Sequence, residues 1–256
     1  MISKDIFNAI TKKASSYKYS SMTYLDFDDC KNSEIVHNGN DTILMQDSCK
    51  TPTMLHFATN NFASLIKIIA NIPGKLRMHF VPREFAAQLS NIGFTEWAEF
   101  ADFWNPDIAK TASSYDAASE IEYLNLNGCE EAYTVSKQCE LQSRGFEGQT
   151  AEYFAKWLDE NCVIIQRIGT AIAGYCCVSI INDGTTLWIK DVGVAPKHQG
   201  KGFGKKLIEQ AITYGVENGA IKGFLAADLL NTNAIGLYNK YGFFIKESES
   251  ELQMIR

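Results

Sequence analysis

The chain has 256 residues, 46% of them hydrophobic, which is enough to build one large domain or two modest ones with proper cores. Its formal net charge of -6 argues against a general nucleic-acid or membrane-surface binder, because such proteins carry excess lysine and arginine over a wide face. We therefore expect a globular protein with no nucleic-acid partner.

The seven cysteines are an odd number and form no Cys-x-x-Cys pair and no metal-ligand spacing to a histidine. The chain starts without a signal peptide, and its longest apolar run, residues 172–181, is about half of the ~20 residues that a membrane helix needs. We expect free thiols, a cytoplasmic location, no membrane span and no metal.

The N-terminal half has the less regular pattern. Residues 60–70 are predicted as a helix, 75–81 as a strand, and 82–91 as a helix with proline in its first turn. Four aromatic residues then supply apolar bulk for a core: Trp97, Phe100, Phe103 and Trp104. The polar, small-residue segment 111–119 is the best candidate for a linker.

The C-terminal half alternates clearly between strand and helix patterns, which predicts an α/β protein with a mixed (α+β) sheet. The predicted elements are a strand at 121–126, helices at 129–143 and 150–161, strands at 162–168, 171–181 and 185–194, a helix from 203 to a C-cap at Gly219, a strand at 221–227, a helix at 231–240 and a last strand from 242. Asn182-Asp183-Gly184 is a hairpin turn signal between two of these strands.

Two short segments indicate an internal repeat. The segment "QLSNIGF", ending at Phe94, corresponds to "LYNKYGF", ending at Phe243, and each lies between a helix and an aromatic strand. A chance Gly-Phe pair is the alternative.

A glycine-rich loop, Gln199-Gly200-Lys201-Gly202-Phe203-Gly204, precedes the helix that starts at residue 203. The first backbone N–H groups of a helix lack intrahelical partners and point the same way, and glycines let an anion approach them without meeting a Cβ. Lys201 and Lys205, with Lys197 and Lys206 beside them, would strengthen binding of a pyrophosphate. A plain solvated turn is the alternative.

Spacing separates the known phosphate loops. No Ser or Thr follows Lys205 and Lys206 as a P-loop requires, and Lys205 stands where the dinucleotide fingerprint needs its third glycine. The loop fits Gln/Arg-x-x-Gly-x-Gly/Ala at every position. In this it resembles the GNAT superfamily of N-acetyltransferases, whose loop of this type holds the pyrophosphate of acetyl-CoA.

A second motif supports the resemblance. Residues 231–243, "NTNAIGLYNKYGF", are similar to the GNAT segment Asn-x-x-Ala-x-x-Leu-Tyr-x-x-x-Gly-Phe. The resemblance covers residues 120–256 and implies a catalytic GNAT domain there. If the repeat is real, residues 1–115 form a smaller, degenerate GNAT-like domain that has lost its cofactor loop.

The resemblance implies roles for individual residues. The pantetheine arm would pair with backbone groups of Val192 and Val194, with Gly193 no obstacle, and the Val192 N–H would polarise the thioester carbonyl. Tyr238 matches the tyrosine that protonates the departing thiolate, with ordinary packing as the alternative. Asn231 matches a cofactor-contacting position, and it is also a good helix N-cap.

The general base is less well defined by the sequence. Asp191 and Asp228 both come late in strands and would lie near the cleft, although a solvated strand residue is the simpler reading for Asp191. His198 would add charge at the loop or be an ordinary surface histidine.

The expected function is direct acetyl transfer from acetyl-CoA to a primary amine of a small molecule or peptide, in a ternary complex. The alternative is a non-catalytic acyl-CoA sensor or interaction module, for which a proton donor such as Tyr238 has no use. The N-terminal half would shape the acceptor cleft or mediate pairing, so a homodimer is compatible with this reading.

Overall fold

The computed structural model describes residues 1–23, 25–115, 120–140, 142–144 and 146–256. The chain divides into two compact units. The first unit comprises Met1–Phe100 and Glu249–Arg256, and the second comprises Ala101–Ser248.

The elements that begin in the first unit are α1 (Lys4–Ala14), β1 (Tyr19–Ser20), α2 (Phe27–Cys30), β2 (Glu34–Asn38), β3 (Thr42–Asp47), β4 (Thr53–Thr59), α3 (Phe62–Ile69), β5 (Leu76–Pro82), α4 (Ala86–Ser90) and β6 (Thr95–Asn105). Strands β2, β3 and β4 are antiparallel neighbours, and β4 then pairs in parallel with β5. Helix α3 makes the crossover between this parallel pair, as a parallel connection requires.

The elements that begin in the second unit are α5 (Ile108–Ala112), β7 (Glu122–Tyr123), α6 (Cys129–Gln138), α7 (Ala151–Trp157), β8 (Cys162–Ile168), β9 (Ala171–Ile181), β10 (Thr186–Val194), α8 (Phe203–Glu217), β11 (Lys222–Asp228), α9 (Thr232–Lys240) and β12 (Phe244–Ile255). The strand order in this unit is β6-β11-β10-β9-β8-β7. Strands β8, β9 and β10 are antiparallel, and β10 pairs in parallel with β11 through α8. The mixed sheet predicted from the sequence is confirmed.

Apolar side chains cover both faces of the second unit's sheet. On one face, Leu187 and Ile189 of β10 are buried with Leu207 and Ile208 of α8. On the other face, the buried residues include Phe154 of α7, Tyr175 and Cys177 of β9, and Val135 of α6. Strand β10 therefore belongs to a sheet that has an apolar core on each face.

The two segments of the internal repeat have the same local structure. In each, a helix ends in a Schellman motif: Gly93 and Gly242 have φ of 91° and 75°, and the N–H of the following phenylalanine donates to the carbonyl five residues earlier. Phe94 and Phe243 are both fully buried. Both units also contain antiparallel strands followed by a parallel crossover, an arrangement that is compatible with the predicted repeat.

Some boundaries differ from those expected. The units divide after Phe100, ahead of the predicted linker, because Ala101 and Phe103 of β6 and Ile108 of α5 are buried in the second unit's core. Residues 111 and 112 belong to α5, and residues 116–119 of the linker lie outside the described residues. Strands β2, β3 and β4 carried no prediction.

None of the seven cysteines forms a disulfide in the structure. In the part of the chain that the structure describes, no helix is both long and apolar enough to cross a membrane.

We predict that Asn105→Ala destabilises the protein by about 1–3 kcal/mol, the cost of leaving a buried hydrogen-bonding group without its partner. The buried Asn105 side chain donates to the Tyr241 carbonyl at 2.7 Å and to Thr111 Oγ1 at 2.7 Å, so it ties β6 to the end of α9. Urea unfolding measures the loss. Asn218→Ala is the matched control, because its amide donates to Tyr214 at the exposed end of α8. Equal effects of the two variants would contradict the prediction.

Candidate active site

Strands β10 and β11 separate before β10 ends. Their parallel pairing runs from Thr186 opposite Lys222 to Trp188 opposite Phe224, and no later pair forms in these fully described strands. Strand β10 continues to Val194, paired only with β9 on its other side. The backbone edge at Val192, Gly193 and Val194 therefore faces a wedge between β10 and β11.

A β-bulge in β10 determines which side chains point to each face of the sheet beside the wedge. The register against β9 shifts between Ile189 and Asp191. Before the bulge Ile189 faces the α8 core, and after it Val192 and Val194 do. Lys190 and Asp191 both reach Tyr153 of α7, on the opposite face. The bulge thus places two successive side chains on the α7 side.

The glycine loop leads from β10 into α8 as predicted. Gly200 and Gly202 have φ of 72° and 87°, and a Cβ at either position would meet nothing within 4 Å. Glycine is therefore needed there for its backbone conformation, and the space in front stays open. Gly202 is the N-cap of α8, and within the described chain no side chain caps this helix. Its first N–H groups are available to an anion.

Gln199 fixes the loop to the end of β10. Its Nε2 donates to the Val194 carbonyl at 3.0 Å and to Gln142 Oε1. The same carbonyl accepts from Cys139 Sγ at 3.4 Å. We expected both backbone groups of Val194 to pair with the pantetheine arm. The carbonyl already accepts two hydrogen bonds, so only the N–H side of Val194 is left for that pairing.

The loop cations contact the protein while remaining exposed. Lys201 Nζ donates to the Lys197 carbonyl at 2.9 Å, and Lys205 Nζ lies 3.6 Å from Glu209 Oε1. Partial burial, together with Lys197 and Lys201, lowers the pKa of His198 below its ordinary 6.5. The lowered pKa favours the uncharged form of His198, which supports its interpretation as an ordinary surface histidine. Its ring lies 6.1 Å from Phe203.

Tyr238 lies on α9, with its ring edge-on to Phe103 at 6.4 Å. Its hydroxyl has no hydrogen-bond partner among the described residues. Burial raises the pKa of Tyr238 above 10, and Cys176 and Asp191 raise it further. The phenol is therefore protonated at neutral pH and has its proton available to donate.

Asp191 is more enclosed than the sequence suggested. Its Oδ2 accepts from Tyr153 O–H at 3.0 Å and from Gln149 Nε2 at 2.9 Å. Burial raises the pKa of Asp191, against the opposing effects of Tyr153, Lys190 and Gln149. The reading as a solvated strand residue is wrong, and the raised pKa makes Asp191 a stronger base than an exposed aspartate.

The residues around Asp191 were not found from the sequence. Ser136 Oγ accepts from the Gln149 N–H at 2.7 Å and from Tyr175 O–H at 2.8 Å. A Cβ on Gly193 would lie 2.5 Å from the Tyr175 ring, so glycine is required where that ring crosses β10. The glycine at residue 193 was the one local feature of the sequence that could have indicated a ring packed against β10 at this point.

Asp228 has a structural role. It is buried at the end of β11, where its carboxylate accepts four hydrogen bonds from described residues. Three come from Arg144, from Nη2 at 2.5 Å, Nε at 3.0 Å and the backbone N–H at 3.1 Å, and the fourth comes from the Leu230 N–H at 3.0 Å. Burial alone would raise the pKa of Asp228, but the bonds from Arg144 and Leu230 outweigh it and lower the pKa. The suggestion that Asp228 is a general base is wrong.

Asn231 is the N-cap of α9, because its Oδ1 accepts from the Ala234 N–H at 3.2 Å. Among the described residues no group of three or more His, Cys, Asp or Glu side chains is placed to hold a metal ion.

Comparisons with known proteins agree with this geometry. Residues 129–243 match the sequence model of the Acetyltransferase (GNAT) family. The chain is also 38% identical over 72 residues to a streptothricin acetyltransferase of Streptomyces lavendulae. That match covers 28% of this chain and 38% of the relative, so the chain spans well under half of the curated relative that it matches.

Solved structures share the fold over most of the chain. A GNAT acetyltransferase from Colwellia psychrerythraea matches with a TM-score of 0.62 and 10% identity, covering 100% of this chain and 97% of its own. A tandem GNAT protein of the clavulanic acid biosynthesis pathway matches with a TM-score of 0.58 and 12% identity, covering 86% and 80%. The wedge, the uncapped glycine loop and the family match all fall within residues 129–243, and this part of the chain belongs to the GNAT family of acetyltransferases.

Proposed function

We propose that the protein is an acetyl-CoA-dependent N-acetyltransferase with one active site, in the second unit. The observation that carries the proposal is that β10 leads from an unpaired backbone edge directly into an uncapped, glycine-rich helix N-terminus. An extended amide chain can pair with the unpaired backbone edge, and a pyrophosphate can bind at the helix N-terminus. Acetyl-CoA contains both groups, an amide-containing pantetheine arm joined to a pyrophosphate.

Binding of acetyl-CoA would use mainly backbone groups. The pantetheine arm would lie along Val192, Gly193 and the N–H side of Val194, and the pyrophosphate would accept from the N–H groups of residues 200–205. Gln199 would hold the loop in place, and the exposed Lys201 and Lys205 would add charge. Asn231 would face the cofactor from the N-terminus of α9 while capping it.

In the proposed reaction, the group that accepts a proton and the group that donates one lie on opposite faces of β10. Asp191, on the α7 side, accepts the proton that the attacking amine loses. The Val192 N–H polarises the thioester carbonyl, and Tyr238, which packs with the α8 core, donates a proton to the thiolate that leaves. The carbon–sulfur bond breaks as the carbon–nitrogen bond forms, and free CoA and an amide result.

The acceptor would be a primary amine of a small molecule or peptide. The acidic chain favours a cationic amine. The Streptomyces relative is named for streptothricin, which makes that compound one acceptor to include in a screen.

We propose that the first unit is a GNAT-like copy without a cofactor site. At the place of the glycine loop, Asn61 caps α3 by accepting from the Ser64 N–H at 3.2 Å, so this helix N-terminus is already occupied. The buried Leu89 stands where the other segment has Tyr238. Without an anion site or a proton donor, such a unit would shape the acceptor site or mediate homodimer formation.

Calorimetric titration with CoA and acetyl-CoA, with NADH and ATP as controls, tests the proposal, followed by an amine screen for release of free CoA. Selective CoA binding with turnover is expected. Binding without turnover of any amine would favour a non-catalytic acyl-CoA sensor, and absence of CoA binding would contradict both functions.

We predict that Gly202→Glu weakens CoA binding by at least about 30-fold, the equivalent of about 2 kcal/mol, because a carboxylate would occupy the anion site at the helix N-terminus. Calorimetry gives the affinity, and circular dichroism checks folding. Gly184→Glu is the matched control, since Gly184 has φ of 83°, equally open surroundings and a position in the hairpin turn before β10. Equal CoA affinity of the two folded variants would contradict the anion site.

We predict that Tyr238→Phe lowers kcat by about 10²-fold, the usual contribution of a positioned proton donor. The affinity for CoA should change little, because the proposed cofactor contacts come mainly from backbone groups of β10 and the glycine loop. Tyr241→Phe is the control, because its hydroxyl, three residues along, donates to Glu209. Wild-type rates for Tyr238→Phe at every pH would remove Tyr238 from this role.

We predict that Asp191→Asn lowers kcat by about 10²-fold while leaving the protein at least as stable at pH 7. A raised pKa in the folded state means that the ionised carboxylate costs stability once the pH rises through that value. The amide carries no charge, so the variant's advantage should fade as the pH falls towards the unfolded value of ~3.9. Urea unfolding at pH 7 and at pH 4 gives the difference in the free energy of unfolding between the variant and the wild type. A smaller advantage of the variant at pH 7 than at pH 4 would contradict the prediction.

A further inference from the structure

Lys190 places its ammonium group among three aromatic rings. Its Nζ lies 4.9 Å from the ring centroid of Trp157, 5.1 Å from that of Trp188 and 5.5 Å from that of Tyr153. We call these three rings the aromatic cage. Several rings around one cation are the arrangement by which proteins recognise alkylammonium ligands.

Contacts that do not involve Lys190 hold the rings of the cage. Tyr153 and Trp157, one turn apart on α7, are stacked with centroids 6.0 Å apart, and Trp188 meets Trp157 edge-on at 5.9 Å. Trp157 Nε1 donates to the Cys162 carbonyl at 3.0 Å, and Tyr153 O–H donates to Asp191. The cage would therefore persist if Lys190 moved away.

Lys190 itself is free to move. Its side chain is exposed, whereas the three rings are partly buried. A long, exposed lysine side chain loses little by rotating into water, where its charge is well hydrated. A cation from solution can then take its place over the rings.

The cage is adjacent to the proposed base. The bulge in β10 turns Lys190 and Asp191 to the same face, and Tyr153 contacts both, with its ring beneath the Lys190 ammonium and its hydroxyl on Asp191. A ligand with one ammonium in the cage would thus have the rest of its chain beside the Asp191 carboxylate.

We propose that the aromatic cage is the subsite for the second ammonium group of a dibasic acceptor, and that Lys190 is its resident competitor. This inference rests on the proposed function, because it makes the amine near Asp191 the one that is acetylated. The acceptor class it specifies is a molecule with two cationic amines joined by a flexible chain.

The test compares α,ω-diamines of three to eight carbons with n-alkylamines of the same length, as acceptors in acetyl-CoA turnover. The measured quantity is the ratio of the diamine KM to the monoamine KM. Lys190→Ala should lower this ratio by about two- to fivefold, because it removes a competing cation, and Trp188→Leu should raise it by a similar factor.

The chain offers a matched control in the same unit. Lys222 Nζ lies 5.6 Å from the centroid of a single ring, that of Trp104, which packs against Phe224. Lys222→Ala and Trp104→Leu make the same chemical changes at a ring outside the aromatic cage, and they should leave the ratio at its wild-type value. An unchanged ratio in both Lys190→Ala and Trp188→Leu would overturn the inference.

Direct binding separates this inference from the proposed function. If the wild type acetylates no amine, the proposed function fails, and calorimetric titration of the diamines without acetyl-CoA then decides about the cage. Tighter diamine binding by Lys190→Ala than by wild type would support the subsite. Equal diamine affinity of wild type, Lys190→Ala and Trp188→Leu would overturn it.

Discussion

The divergence of β10 from β11 is the constraint on which the rest of the site depends. Two parallel strands that pair only as far as Trp188 leave a backbone edge in the interior of the sheet without its ladder. A ligand that pairs with backbone can therefore enter, and the chain continues from the same strand into the glycine loop.

The bulge in β10 adds chemistry to this geometry. In a regular strand Lys190 and Asp191 would face opposite sides, whereas the register shift brings both to Tyr153. Asp191 in β10 and Asp228 in β11 both come late in their strands, but they have different hydrogen-bond partners. Arg144 neutralises Asp228 and fixes it as an anchor. The donors to Asp191 among the described residues, Gln149 and Tyr153, are neutral. An acidic side chain near a cleft is thus not by itself evidence for a base.

The features that the sequence predicted well are those with a local cause. Gly200, Gly202 and Gly242 have positive φ values, so loop and helix-end motifs could be read from neighbouring residues. The strand β10 and the helix α8 followed from periodicity. The surroundings of Asp191 could not be predicted, because Gln149 and Tyr153 come from a helix and loop about forty residues earlier, and only tertiary packing brings them to the carboxylate.

The two units show how similar topology can support different sites. Each has a helix crossing between parallel strands, and each such helix has unpaired N–H groups at its start. In α3 the Asn61 side chain satisfies one of these groups, which stabilises the helix and occupies the position that an anion would take. In α8, Gly202 leaves them open, at a cost in helix stability. The two crossover helices therefore differ in their caps, and their preceding strands differ as well, because β1 pairs with β4 at Ala58 and Thr59 whereas β10 has, in the described part of the chain, no such added strand along its β11 side.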